Sequence, residues 1–435
     1  MQRLVLWLYG LLLWLATPLL RRKLRRRAVA EPGYAQAVDE RFGDYTQPAD
    51  AGFVWVHAVS LGETRAAAIL LAQLRAQQPG LRLLLTHGTA TGRAEGARLL
   101  RPGDVQVWQP WDTPGAVRRF LQHFRPAVGI LMETEVWPCL VAGCWEQGVP
   151  LVLANARLNE KSRDGALRLA WLARPAYASL AAVWAQTEGD AERLRQVGAR
   201  SVRVLGNLKF DVRPNAALLA QGRAWRAGLA RPVLLLASSR EGEEAMWLQY
   251  FKQNMAPGQC GKAQAAINND DAAPQWLIVP RHPQRFDEVA ALCQAAGLSV
   301  ARRSQWDGAP PVADVWLGDT LGEMALYYGL ADVALLGGSF APLGGQNLIE
   351  AAACGCPIVL GPHTFNFAEA AELALRAGAA QRVADLAEGA ALACALARDA
   401  ARHQAMQASC QHFAQAHSGA AHAMAQAVLA LLAHH

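Results

Sequence analysis

Along most of the chain, short apolar runs alternate with longer stretches whose apolar positions recur every three or four residues, which is the pattern of strands interleaved with amphipathic helices. Runs at 53–59, 81–86, 105–108, 127–132, 150–154, 182–185 and 201–205 predict strands, and stretches such as 64–77 and 113–123 predict helices between them. The pattern restarts after Pro214, with strand-like runs at 232–237, 275–279, 312–316, 332–336 and 357–360. Near-continuous apolar strands separated by helices imply parallel sheet covered on both faces. The expected architecture is therefore α/β, with two Rossmann-like doubly wound domains joined near 206–214 and facing a central cleft. In such folds ligands bind at the carboxyl ends of the strands.

Two regions break the pattern. Residues 4–20 carry no charge over 17 positions and are followed by RRKLRRR. That length is at the lower limit for crossing a bilayer core, and the order of charge and apolar run is the reverse of a cleaved signal peptide. The basic cluster is expected to stay cytoplasmic, so residues 1–30 read as a membrane-anchor helix, spanning or in-plane, with the body on the cytoplasmic side. The cluster fits anionic lipid headgroups, each charge contributing about 1 kcal/mol near the surface; a sharper reading of the same charges is capture of a phosphorylated lipid substrate. The second break, 253–274, is small and polar and reads as a surface loop; its Asn-Asn-Asp-Asp (268–271) lacks a nearby strand that would fix a metal site. The remaining boundaries are expected at 31–211 and 212–435.

Charge sharpens this division. The formal net charge is +6, from 42 basic and 36 acidic residues, but seven of the basic residues lie within the first 27 positions. Without them the body has 35 basic against 36 acidic residues, so no basic surplus remains for a nucleic-acid partner. The eight cysteines form no C-x-x-C pair, which argues against a disulfide scaffold or a zinc site and for reduced core thiols.

The candidate chemistry lies at predicted strand ends. In HAVSLGETR (57–65), Glu63 follows a strand and opens a helix, where the helix dipole favours an ionised general base; a plain capping carboxylate fits the spacing equally well. In METEVWP (132–138), Glu133 offers a second carboxylate. GNLKFD (206–211) brings Lys209 to the domain junction. In the second unit, SSREGEE (238–244) and PRHP (280–283) are polar strand-end loops, and Arg281 presents a fork suited to phosphate beside His282. The strongest signal is GGSFAPLGGQNLIE (337–350), which is neither a Walker loop nor a dinucleotide fingerprint. Its glycines let backbone amides approach an anion at a helix start, with Glu350 placed to accept from ribose hydroxyls.

Taken together, HAVSLGET, METEVWP, NARL (155–158), GNLKFD, PRHPQRF, GDTLGEM (318–324), the glycine-rich segment through GPHTFNF and the apolar N-terminus resemble the 3-deoxy-D-manno-octulosonic acid (Kdo) transferases, in the same order to about Phe367. The resemblance implies an inverting GT-B glycosyltransferase at the cytoplasmic face of the inner (plasma) membrane that needs no metal or cofactor. It would move Kdo from CMP-Kdo to the lipid A precursor lipid IVA, releasing CMP, in lipopolysaccharide core biosynthesis. Carried over by motif, Glu63 is the base, while Glu133 and Lys209 support the transition state. Arg281, His282, Gly322, Glu323, Met324, Asn347, Leu348, Ile349 and Glu350 match CMP-binding segments. Gln346 departs from the family, which often has His there. The alternatives left open are a membrane-bound GT-B enzyme using a UDP-sugar and an inactive scaffold that binds anionic lipid.

Overall fold

The structure is a computed structural model that describes residues 2–254 and 273–433, with side chains from Leu4 onward. The 255–272 part of the polar insertion, including Cys260 and the Asn-Asn-Asp-Asp run, lies outside the described residues. The chain forms two compact units, 1–211 with 417–435, and 212–416.

The first unit contains β1 (Val54–His57), β2 (Leu83–His87), β3 (Val105–Trp108), β4 (Val128–Met132), β5 (Leu151–Ala156), β6 (Ala182–Ala185) and β7 (Val202–Val204). They form one parallel sheet in the order β3-β2-β1-β4-β5-β6-β7. Alternation sends Val54 and Val56 to one face, against Leu70 and Leu74 of the helix Leu61–Gln77. Trp55 and Leu131 go to the other, against Phe120 of the helix Pro114–Phe124 and Leu140 of the helix Pro138–Glu146. Burying each large apolar side chain contributes about 1.5–3 kcal/mol, so both faces hold the strands in register. Side chains at the first helix positions fix where helices start: Thr113 accepts the Ala116 N–H at 3.4 Å.

The second unit repeats the design with β8 (Val233–Ser239), β9 (Gln275–Pro280), β10 (Val300–Arg302), β11 (Val315–Leu317), β12 (Val333–Leu336), β13 (Ile358–Leu360) and β14 (Ala380–Arg382). The sheet order is β10-β11-β9-β8-β12-β13-β14, again parallel throughout. The edge strands β10 and β14 were not predicted: each has three residues, and VAR and AQR are too short and too polar for an apolar run.

Two expectations change. Residues 417–435 do not belong to the second unit. Ala421, Met424, Ala425 and Val428 of the helix Ala420–Ala433 bury against the first sheet's core, and Asp211 accepts the Ala421 N–H at 2.7 Å. The apolar N-terminal run is also not one helix. It divides at Ala16 into Gln2–Leu15 and Thr17–Ala30, with Pro18 in the first turn of the second helix and a 50° bend between them. Among the described residues no single helix is long and apolar enough to cross a membrane, whereas the bent pair meets that criterion by length and composition. Val5 and Leu6 lie beside Val141, Trp171 and Pro175, and a side chain at Gly10 would collide with Pro114 Cδ at 2.7 Å. One stripe of the first helix therefore docks on the first unit, while Leu4, Trp7, Leu12 and Trp14 are exposed.

Candidate functional site

In the first sheet β1 and β4 are neighbours although β2 and β3 intervene in sequence. The winding therefore reverses between them, and the loops leaving their carboxyl ends flank the switch point where doubly wound sheets bind ligands. Those loops carry Glu63 and Glu133.

Glu63 lies in a reciprocal cap. Ser60 Oγ accepts the Glu63 N–H at 3.4 Å and donates to its Oε1 at 3.0 Å, while Oε2 accepts the Val59 N–H at 2.9 Å. The capping and reactive readings of this residue are thus compatible. Burial pushes its carboxyl up to about 7, helped by repulsion from Glu133 and Glu135 and opposed by the bonds from Val59 and Ser60. A carboxyl in that range can both accept and release a proton near neutral pH.

Glu133 is buried and takes the left-handed backbone conformation, φ +56°, and Arg157 Nε donates to its Oε2 at 2.7 Å. Glu135 lies 4.0 Å from Nε2 of His57 and accepts from Trp137 Nε1 at 2.8 Å; burial raises its carboxyl as well. His57 itself is buried, with Nδ1 2.9 Å from Thr86 Oγ1, and burial pushes its imidazole down to about 3, so it is neutral. Neither His57 nor Glu135 was singled out from sequence. His57 ends a strand that is buried throughout, so no alternation in the sequence marks which way its side chain points.

Lys209 is positioned through its backbone by a polar chain across three strand ends. Asn155, fully buried at φ +52°, accepts the Leu208 N–H at 3.0 Å. Gln186 donates to the Asn155 carbonyl and accepts from Asn207 Nδ2, both at 2.9 Å, and Asn207 Oδ1 accepts the Lys209 N–H at 3.0 Å.

The second sheet has its switch point between β8 and β12. Three strands, β11, β9 and β12, deliver the predicted nucleotide-binding segments to the carboxyl edge of the sheet. Gly322 (φ +83°), Glu323 and Met324 follow β11, Arg281 and His282 follow β9, and 337–350 follows β12. Arg281 Nε donates to Gln346 Oε1 at 3.1 Å, so the residue that departs from the family pattern orients the guanidinium. His282 is held below its usual range by burial and by the positive charges of Arg240 and Arg281, which keeps a neutral ring beside a cationic patch. Glu323 accepts from Arg303 Nη2 at 2.9 Å. Asn347 accepts the Ile349 N–H at 3.2 Å, and Leu348 and Ile349 are each 1% exposed, so their side chains face the core and not an external ligand.

The glycine-rich loop corrects one expectation. The amides of Gly338, Phe340 and Ala341 already donate to a carboxylate of the chain, that of Glu243. Among the described residues no cluster of His, Cys, Asp and Glu is arranged to hold a metal ion.

Among the described residues, three of the five non-glycine residues in the left-handed region, Glu133, Asn155 and Ser238, lie at or just beyond the carboxyl ends of β4, β5 and β8. Such conformations cost about 1–3 kcal/mol each and gather where function holds them.

Residues 36–212 match a family model described as 3-Deoxy-D-manno-octulosonic-acid transferase (kdotransferase). The 3-deoxy-D-manno-octulosonic acid transferase of Bordetella pertussis is 49% identical over 405 residues, 92% of each chain. That of Haemophilus influenzae is 31% identical over 83% of each. Among solved structures, Anabaena Alr3699/HepE in complex with UDP superposes with a TM-score of 0.55 at 14% identity, covering 88% of this chain and all of the other. A glycosyltransferase from Rickettsia africae gives 0.52 at 11%, covering 88% of this chain and 98% of the other. At such identities these two structures speak for the fold alone.

Proposed function

We propose, for a chain that belongs to the 3-deoxy-D-manno-octulosonic acid (Kdo) transferases and is a glycosyltransferase of the GT-B class, that it transfers Kdo from CMP-Kdo to lipid IVA and releases CMP. The observation that carries the reading is Glu63, a half-buried carboxyl at a sheet switch point whose acidity is shifted to about 7. An acceptor hydroxyl gives its proton to Glu63 as its oxygen bonds the anomeric carbon. The bond from that carbon to the CMP phosphate breaks on the opposite side, and the electron pair leaves with the phosphate, so the configuration inverts. Arg281, oriented by Gln346, together with Arg240 and His282, forms the patch that receives the growing charge. Glu133 and Lys209 are proposed to support the transition state. Gly322 to Met324, together with Asn347, Glu350 and the backbone alone of Leu348 and Ile349, are proposed to border the cytidine and ribose.

The reading also includes the membrane. The exposed Leu4, Trp7, Leu12 and Trp14, followed by Arg22, Lys23, Arg26 and Arg27 along one groove, fit an amphipathic element lying in the interface of an anionic cytoplasmic leaflet. Docking of Val5 and Leu6 on the body favours this in-plane arrangement over a free-standing span.

The test is to incubate the detergent-solubilised full chain with CMP-Kdo and lipid IVA and to weigh the lipid. Addition of one or more Kdo masses with equimolar CMP is expected. Unchanged lipid, or release of UDP from a UDP-sugar instead, overturns the reading.

A further inference from the structure

At the switch point of the second sheet lies a carboxylate that the transfer reaction does not use. Glu243 is 0% exposed and opens the helix Glu243–Asn254. Its Oε2 accepts the Arg240 N–H at 2.9 Å and the Gly338 N–H at 2.7 Å, and its Oε1 accepts the N–H groups of Phe340 at 3.0 Å and Ala341 at 3.2 Å. Four backbone donors from the loops after β8 and β12 thus converge on one side chain. The two loops also touch directly: a side chain at Gly337 would meet the Ser238 carbonyl oxygen at 2.4 Å, so the pair can only pack backbone to backbone. Ser238 is held at φ +55° and Gly338 at φ +70° beside this contact.

The consequence runs outward through bonds already described. Gly338, fixed by Glu243 through its N–H, accepts the Gly345 N–H on its carbonyl at 2.7 Å. Gly345 precedes Gln346, whose Oε1 holds the Arg281 guanidinium. From the core outward, the sequence is Glu243, Gly338, Gly345, Gln346, Arg281. An amide nest of this kind attracts a ligand's anion, but here an internal anion fills it and the ligand is left to the side chains it positions.

We infer that Glu243 is a positioning residue for the donor: its buried carboxylate clamps the glycine-rich loop so that Gln346 and Arg281 meet the phosphate of CMP-Kdo. The inference rests on the proposed donor. Gln at 243 fills the same volume but turns an NH2 group toward two of the four backbone donors, whichever way the amide is placed, so the clamp fails without a cavity.

The experiment is a double-mutant cycle on the full chain, read by CMP affinity and by steady-state kinetics with both substrates varied. Glu243→Gln is expected to raise the CMP Kd and the donor KM by about tenfold to a hundredfold, leaving the acceptor KM and kcat at saturating donor within about threefold. Arg281→Ala is expected to cost much less affinity in the Glu243→Gln background than in the parent, because the guanidinium is already misplaced there. A stabilising role without positioning predicts a lower melting temperature with additive binding losses, and additivity overturns the inference. If Glu243→Gln does not fold, Glu243→Asp, whose shorter carboxylate cannot reach both loops, enters the same cycle with the same expectation and the same overturning result. A parent protein that binds no CMP removes the proposed donor, and this inference with it; a parent that binds CMP beside a variant that binds equally well removes this inference alone.

Discussion

The two sheets place a Gly-Glu pair at the same topological position and use it in opposite ways. After β1 the chain reads Ser60-Leu61-Gly62-Glu63, and after β8 it reads Arg240-Glu241-Gly242-Glu243. In both, the glutamate enters the following helix and turns back onto its own loop, accepting the Val59 N–H in one case and the Arg240 N–H in the other. Glu63 has two donors in all and keeps partial access to solvent, so burial dominates and leaves a carboxyl that titrates near 7. Glu243 adds three amides from a neighbouring loop and loses all exposure. Burial still raises its carboxyl and those amides oppose the rise, but no substrate atom can reach it. In the proposed roles, what separates a base from a clamp is therefore the loop that closes over it. Where the glycine-rich loop descends onto the carboxylate the group becomes structural, and where METEVWP stands beside it the group remains available.

Removing the carboxylate that remains available breaks the comparison most sharply. Glu63→Gln retains an amide able to accept one capping bond but cannot take a proton, and kcat is expected to fall by about 10²- to 10⁴-fold. CMP affinity should be unchanged, since every residue proposed to bind it lies in the second unit; calorimetry checks this against turnover on one preparation. A fall in CMP affinity comparable to the fall in rate would place Glu63 among the structural residues with Glu243.

Arg281→Ala tests the other side. Losing one oriented guanidinium is expected to raise the donor KM by roughly tenfold to a hundredfold, with little change in the acceptor KM. Substrate titrations of both reactants measure the two constants separately.

The same two glutamates show what the sequence could and could not reveal. Twelve strands were legible as apolar runs, because parallel strands covered on both faces have no polar alternation to obscure them. The two that escaped, β10 and β14, are three-residue edges. The placement of the candidate residues was legible where a motif follows a strand, as at Glu63, Glu133 and Arg281. The occupation of the glycine loop by Glu243 was not, since the residues involved are about a hundred positions apart and glycines alone do not disclose whether their amides face a ligand or the protein. The return of 417–435 to the first unit escaped for a similar reason: an Ala-rich helix carries no mark of its partner, which only the Asp211 cap and the apolar face of Met424 and Val428 identify.

Stability gives a smaller but independent signature of an available carboxyl. A glutamate whose folded value is raised binds more protons in the native than in the unfolded chain between about pH 4.5 and 7. Its contribution to stability is therefore lost as pH rises through that window and stays lost above it. Gln at 63 has no proton to lose. The melting temperature of Glu63→Gln relative to the parent is expected to rise by about a few degrees between pH 5 and pH 8, measured by scanning both proteins side by side. A difference independent of pH would mean that Glu63 titrates at its ordinary value and is only a cap.

The smallest expected effect concerns the residues around the proposed base. Because Glu63 must be ionised to accept a proton, kcat/KM should rise with pH along a limb whose midpoint is about 7. Burial is the largest cause of that position, and repulsion from Glu133 and Glu135 adds to it. Glu135→Gln removes one of the two neighbouring charges and keeps an oxygen that can accept from Trp137 Nε1, so the pocket remains filled. The limb should move to lower pH by roughly a few tenths of a unit, the scale of one partly screened charge, with the high-pH plateau nearly unchanged. A plateau that collapses while the midpoint stays fixed would show Glu135 acting on the reaction itself, and the first switch point would then hold two reactive carboxylates where the second holds none.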